Sequence, residues 1–309
     1  MLTEPGVNYK RTGSIMTELI TSAANPLIKR VRLLGDRRHR RREGAFVVQG
    51  AQPVWQAVEA GADIEVLITA PGLLREPAAE MVAGQEARGV RVARLSEPLF
   101  GRIADREGPT GLAAIVRGRV PGLGELAVQR DAVFVALHEI ANPGNLGTII
   151  RTADAAGAAG VILIGHAADP FDPAAVKASM GALFSVPVAA EPSSPAFLDW
   201  CRQSEITLAV TSAAGSGSIW ETEIPRPVAI LMGSEGPGLP DGLLAAGNIR
   251  LRIPMTGTAE SLNLAVATGI LLYETWRRFR HESETDDKPT HPSGRTGRDR
   301  PRRGAASSH

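Results

Sequence analysis

Three glycine-rich stretches in the second half of the chain hold residue types able to do chemistry. The first is Asn142-Pro143-Gly144-Asn145-Leu146-Gly147-Thr148-Ile149-Ile150-Arg151-Thr152. The second is Met232-Gly233-Ser234-Glu235-Gly236-Pro237-Gly238-Leu239. The third is Ile253-Pro254-Met255-Thr256-Gly257-Thr258-Ala259-Glu260-Ser261-Leu262-Asn263. Glycine lacks a Cβ, so such loops let a backbone approach a ligand closely. Glu235 brings one carboxylate, Asn145 and Asn263 bring amides, Ser261 a hydroxyl and Arg151 a permanent positive charge. Such groups can orient a polar ligand and stabilise negative charge developing on an oxygen. Each stretch taken alone is equally a strand–turn–helix connection, with a surface arginine in the first and helix capping in the third.

An alternation of strands and helices must position them. Apolar runs predict strands at 133–137, 161–164, 207–211, 228–232 and 250–254, with a short one starting at Pro187. Helical spacing predicts helices at 146–156, 173–180, 195–203 and 261–278. The run Val228-Ala229-Ile230-Leu231-Met232 is wholly apolar, as in a sheet covered on both faces. Asn145 is the expected cap of its helix, with Arg151 two turns in, while Ser261 or Asn263 caps the last helix. Each stretch follows a predicted strand, and open α/β sheets bind ligands beyond the carboxyl ends of their strands. Three such loops would converge there.

The first part of the chain repeats the alternation on a smaller scale. A helix begins after Thr21, capped by Ser22 or Asn25, with Pro26 in its first turn. Further helices are predicted at 53–60, 78–88 and 98–104, and strands at 45–50, 66–69, 90–92 and 111–116. The expected organisation is a flexible 1–20, a small α/β/α domain over 21–120, a linker at 121–130, a larger α/β domain over 131–281 and a disordered tail at 282–309.

Composition narrows the chemistry. The chain has 309 residues, in keeping with two domains. Cys201 is its only cysteine, which excludes an internal disulfide and a cysteine-cluster metal site and fits a reducing compartment. No apolar run approaches the roughly 20 residues of a membrane span, and the N-terminus lacks a signal-peptide core. The expectation is a cytoplasmic protein with no membrane contact. Dinucleotide, P-loop, H-E-x-x-H and C-x-x-C patterns are all missing. Aromatic residues are only 4%, against a base-stacking platform as the main device. Net charge is +1, but Arg37, Arg38, Arg40, Arg41 and Arg42 crowd one segment. They either neutralise phosphates or form a solvated stretch. Arg295, Arg298, Arg300, Arg302 and Arg303 recur in the tail, read as a bystander. His138 and His166, flanking predicted strand ends, are read as structural.

The three stretches, in this order and spacing across 130–278, resemble motifs one, two and three of the SpoU/TrmH branch of the SPOUT RNA ribose 2′-O-methyltransferases. Residues 21–118 resemble, in general layout, the ribosomal-protein-like RNA-binding domain that often precedes that catalytic domain. The resemblance implies methyl transfer from S-adenosylmethionine to a ribose 2′-hydroxyl without a metal. It implies a C-terminal domain tied in a trefoil knot, and a homodimer whose contact completes each active site. Ribosomal RNA is the first expected substrate and transfer RNA the alternative.

Carried over residue by residue, it assigns cofactor binding to Met232, Gly233, Ile253, Met255 and Leu262, and catalytic roles to Arg151, Asn145, Glu235, Ser261 and Asn263. Arg151 matches an arginine thought to activate the hydroxyl. A guanidinium is a poor base, so positioning and electrostatic stabilisation are preferred to proton abstraction. Lys177 stands where an arginine is usual, keeping charge but losing the bidentate fork. Asn142 replaces a common aspartate and Ala265 a frequent serine. Arg38, Arg40, Arg41 and Lys177 are the expected RNA contacts, and Tyr273 and Trp276 core or dimer contacts. Two rivals remain: a non-catalytic RNA-binding protein of the same fold, and another α/β enzyme acting on a small substrate.

Overall fold

The computed structural model describes residues 19–104, 110–212, 215 and 217–286, with side chains to 278. Residues 1–18 and 287–309, including the tail arginines, lie outside the described residues. The first unit begins with α1 (Pro26–Leu33), capped by Asn25, whose side chain accepts from the Leu27 amide. The basic cluster forms a helix, α2 (Arg37–Glu43): Asp36 accepts from the Arg38 and His39 amides, and Gly44 ends it at φ 60°. There follow β1 (Ala45–Gln49), α3 (Ala51–Glu59), β2 (Ile64–Thr69), α4 (Ala78–Ala87), β3 (Arg91–Arg94), α5 (Glu97–Phe100) and β4 (Leu112–Arg117). The four strands lie in the order β1-β4-β2-β3, with β4 antiparallel to both neighbours and β3 parallel to β2. Residues of α1 and α5 fill one face of this sheet, and those of α3 and α4 the other.

The second unit contains β5 (Val133–His138), α6 (Pro143–Ala155), β6 (Gly160–Ile164), α7 (Pro173–Ser179), β7 (Val188–Glu191), α8 (Ser194–Gln203), β8 (Thr207–Thr211), β9 (Gly217–Ser218), β10 (Val228–Met232), α9 (Asp241–Ala246), β11 (Ile249–Arg252) and α10 (Leu264–Asp286). Its seven strands are all parallel, in the order β7-β6-β5-β10-β8-β11-β9. One face packs on α6 and α10, the other on α8 and α9. Both faces of β10 are therefore covered, which accounts for its unbroken apolar run. The stretch expected as a linker is anchored here: Leu123 and Leu126 are buried in the second core.

The cap of α6 corrects the expectation. Asn142, not Asn145, accepts from the Gly144 and Asn145 amides, so the helix starts at Pro143. The last helix starts at Leu264 rather than Ser261, because Asn263 takes the cap by accepting from the Ala265 and Val266 amides. It continues to Asp286, into the expected tail, since no proline intervenes before Pro289. Arg278 anchors this helix by donating to the Ile219 and Thr222 carbonyls. Glu274 accepts from Arg277 and Arg278, which hold its carboxyl down at about 2.

The two units meet along α7. The Phe46 ring stacks on Phe171 with centroids 4.3 Å apart, and Val176 joins the core of the first unit. Arg40 is 3% exposed. Its Nε and Nη2 donate to Asp169 at 2.9 and 2.7 Å, and its Nη1 caps the Leu34 and Gly35 carbonyls. Arg37 donates to the Ala167 carbonyl at 3.1 Å. The expected RNA contact at Arg40 is thus overturned: its guanidinium is buried and fully engaged across the seam. One arc of α2 clamps the units together, and the opposite arc leaves Arg38, Arg41 and Arg42 exposed.

Two outcomes follow from this packing. Arg40→Ala strands the Asp169 carboxylate, and breaking a buried pair in this way costs about 3–5 kcal/mol. Urea unfolding followed by tryptophan fluorescence reads the loss; a change under about 1 kcal/mol would contradict the clamp. The depressed Glu274 pKa adds stability above the ordinary carboxyl value of 4.5, which is lost as pH falls toward about 2. Glu274→Gln should flatten that part of the stability–pH curve, and an unchanged curve would show the ion pairs to be inert.

Candidate active site

A cavity of about 570 Å³ opens at the carboxyl ends of β8, β10 and β11, beside the loop that follows β5. The strand order turns back between β5 and β10, the kind of switch point at which parallel sheets bind ligands. Met232, Leu251, Ile253 and Leu271 supply apolar lining, while Asn145, Ser212, Glu235, Ser261 and Asn263 supply polar groups. Met255 and Leu262 also line it and stay partly exposed.

The loop after β10 is folded back upon itself. The Ser234 amide donates to the Gly238 carbonyl at 3.2 Å, and the Gly238 amide returns the bond at 3.1 Å. Gly236 and Gly238 adopt φ of 94° and 73°, which L side chains rarely reach. A Cβ on Gly233 would come within 2.3 Å of the Gly238 carbonyl carbon. Glycine is therefore required where this loop closes against the cavity.

A chain of side-chain hydrogen bonds joins all three motifs. Asn263 Nδ2 donates to Asn145 Oδ1 at 3.2 Å, and Asn145 Nδ2 donates to Glu235 Oε1. Asn263 holds two roles, since its own Oδ1 caps α10. This explains why the third stretch carries both Ser261 and Asn263: the cap needs only Asn263, and Ser261 faces the cavity.

Of the residues named from sequence, Asn145, Met232, Gly233, Glu235, Ile253, Met255, Ser261, Leu262 and Asn263 share this cavity. Arg151 does not line it. It stands exposed on α6, about 9 Å further along the axis than Asn145 at the usual helical rise. Among the described residues its side chain has no hydrogen-bond or ion-pair partner. Lys177 lines a different cleft, at the seam between the units. Thr211 and Ser212 line the cavity but were missed, because the strand they end carries no glycine-rich motif. Thr211 is braced by donating to the Leu231 carbonyl at 2.9 Å.

His138 is buried with Nδ1 unpaired among the described residues, and His166 is exposed; neither lines the cavity. No cluster of three or more His, Cys, Asp or Glu is found among the described residues. No described helix is long and apolar enough to cross a membrane. Beside the cavity a groove runs between α6 and α10, lined by Thr148, Thr152, Val266, Ile270 and Tyr273. Val266 and Tyr273 are 53% and 47% exposed, and Trp276 is exposed as well, so neither aromatic belongs to the core.

Residues 132–273 match the SpoU rRNA Methylase family, and residues 25–114 match the MRM3-like substrate binding domain. The chain is similar to the 23S rRNA (uridine(2479)-2'-O)-methyltransferase of Streptomyces viridochromogenes. The two are 34% identical over 252 residues, covering 80% of this chain and 87% of the relative. It is also similar to the 23S rRNA (guanosine(2553)-2'-O)-methyltransferase RlmP of Bacillus subtilis (strain 168). There identity is 30% over 261 residues, 82% of this chain and 97% of the relative. The crystal structure of the AdoMet-bound rRNA methyltransferase from Sinorhizobium meliloti matches with a TM-score of 0.78 at 38% identity, covering 84% of this chain and 98% of that one.

The motif-joining role of Asn145 is testable without any ligand. Asn145→Ala should speed hydrogen exchange at the amides of 233–238 while lowering global stability by only about 1 kcal/mol. Unchanged exchange in that loop would show that Asn145 does not hold it.

Proposed function

The chain belongs to the SpoU rRNA methylase family and is an RNA ribose 2′-O-methyltransferase; we propose that its substrate is 23S rRNA, methylated at one ribose with S-adenosylmethionine as donor. The observation that carries the reading is the convergence of the three motifs on one cavity, joined through Asn145. The related proteins that act on 23S rRNA match along most of their length, which favours that RNA over transfer RNA.

The cavity suits the cofactor. Its volume lies within the roughly 300–1,000 Å³ of small-molecule sites. Apolar Leu251, Ile253 and Leu271 can receive a purine, and the glycine-closed loop after β10 presents main-chain groups. Met232, Gly233, Ile253, Met255 and Leu262 would hold it. When bound, S-adenosylmethionine supplies an electrophilic methyl group on a sulfonium. Glu235, locked by Asn145, presents a fixed acceptor at the mouth. Ser261 and Asn263 offer a hydroxyl and an amide to orient the ribose or the cofactor carboxylate. Arg151 keeps a permanent positive charge free for the substrate. A guanidinium is a poor base, so its part is to grip an adjacent phosphate and stabilise the oxyanion that forms as the 2′-hydroxyl releases its proton to solvent.

Three further features complete the reading. Residues 21–120 form the RNA-docking domain and 131–281 the catalytic domain. The catalytic domain is knotted, a reading supported by the path of the chain from β11, beyond β8, back across the sheet to α10 beside α6. The protein works as a homodimer in the cytoplasm. Exposed Val266, Ile270 and Tyr273, set i, i+4 and i+7 on α10, support a helix-face contact that would add a second copy beside Arg151.

Radiolabelled methyl transfer to separated 23S, 16S and transfer RNA from cells lacking the gene tests the reading. Label in 23S rRNA at a linkage resistant to alkali is expected; label confined to transfer RNA would overturn the substrate. Arg151→Ala should lower transfer about 10²–10³-fold while leaving cofactor affinity within about twofold. Equal loss of both would contradict its assigned part.

A further inference from the structure

One edge of the second sheet is built differently from its centre. β10 is apolar throughout, but β11 alternates as Ile249-Arg250-Leu251-Arg252. Ile249, Leu251 and Ile253 pack into the core shared with α6 and α10. Successive side chains of a strand point to opposite faces, so Arg250 and Arg252 point to the other face. There α8 and α9 pack on the inner strands, and no described residue of β9 or β11 joins their core. Both arginines are exposed. Among the described residues neither guanidinium has a hydrogen-bond or ion-pair partner.

A tryptophan stands at the same edge. Ser218 pairs with Arg252 in the ladder, and the Ile219 amide donates to the Arg252 carbonyl at 3.0 Å. Trp220 follows directly and is 59% exposed. The turn that carries it is tied down. The Trp220 amide donates to Ser218 Oγ at 3.2 Å, and the Glu221 and Thr222 amides donate to the Ser218 carbonyl at 3.0 and 2.9 Å. Arg278 holds the Ile219 and Thr222 carbonyls from below, and Ile219 is fully buried. Glu221 and Glu223 are exposed nearby, and among the described residues neither pairs with Arg250 or Arg252. Arg252 also lines the reaction cavity, beside Ile253. The corner and the cavity therefore share a wall at the carboxyl ends of the strands.

We propose that this corner is a subsite for a nucleotide a few steps along the RNA from the methylated ribose: the Trp220 indole stacks on its base, and Arg250 and Arg252 take backbone phosphates. The proposal rests on the reading of the chain as an RNA methyltransferase. Each unpaired nucleotide brings a flat base and one negative charge, which an aromatic face beside free cations matches. An apolar partner surface would match the indole but leave both guanidinium groups without anions. Every base has a π-face, so the corner adds affinity and register rather than base identity. One indole is an adjunct to the site, in keeping with the low aromatic content of the chain.

The test compares wild type with Trp220→Ala, Trp220→Phe and the double variant Arg250→Gln/Arg252→Gln, using in vitro transcribed 23S rRNA as the probe. Trp220→Ala should raise KM for RNA about 5–150-fold, the loss of one base stack, at an unchanged salt slope. Its kcat and cofactor affinity should stay within about twofold, as evidence of an intact fold. Trp220→Phe should recover most of the loss. The double variant should reduce the slope of log affinity against log salt by about 1.4–1.8. If wild type methylates RNA while all three variants keep its KM and slope, the corner is not an RNA site and the assigned function stands. If Trp220→Ala changes the oligomeric state in sedimentation, the indole is a contact between copies and the subsite is overturned. If wild type neither binds nor methylates RNA, the function fails and the subsite falls with it.

Discussion

The side-chain amide of Asn145 bridges the other two motif loops, and the site depends on that bridge. It accepts from Asn263 and donates to Glu235, so segments 118 and 90 residues away in sequence are held at one point. Neither bond can form unless the neighbouring caps are made correctly. Asn142 must take the helix cap so that Asn145 is left free inside the first turn. Asn263 must cap α10 with its oxygen so that its nitrogen points at Asn145. Three asparagines divide capping and linking between them, and glutamine at any of these positions would place its amide a methylene too far.

Below that bridge the parallel sheet sets the frame. β10, apolar on both faces, lies between β5 and β8 and delivers its glycine loop to the place where the strand order turns back. The loop closes only because Gly233 leaves room for the Gly238 backbone. The apolar lining and the polar mouth thus come from different sources. The first is the strand ends, fixed by burial; the second is the loops, fixed by hydrogen bonds among themselves.

The seam between the units gives the arginine-rich segment two uses. A helix has distinct faces, so one run of basic residues can point into an interface and out to solvent at once. Arg37 and Arg40 hold the second unit, and Arg38, Arg41 and Arg42 stay in water. Burying the Arg40 guanidinium is tolerated because Asp169 and two carbonyls satisfy it.

By itself the sequence determined the strand–helix alternation, the β8 and β10 strands to the residue, and the group of loop residues that line one cavity. Those features follow from local pattern: apolar runs, glycine where a backbone must turn, and polar groups at strand ends. Only the tertiary structure decided which asparagine caps and which links, since both have the same local propensity and the choice depends on a partner far along the chain. It also decided that Arg40 is an interface residue while its neighbours are not, because helix phase against another unit is invisible in composition. Thr211 and Ser212 entered the cavity for the same reason: their place was set by the order of strands in the sheet, which no single segment encodes.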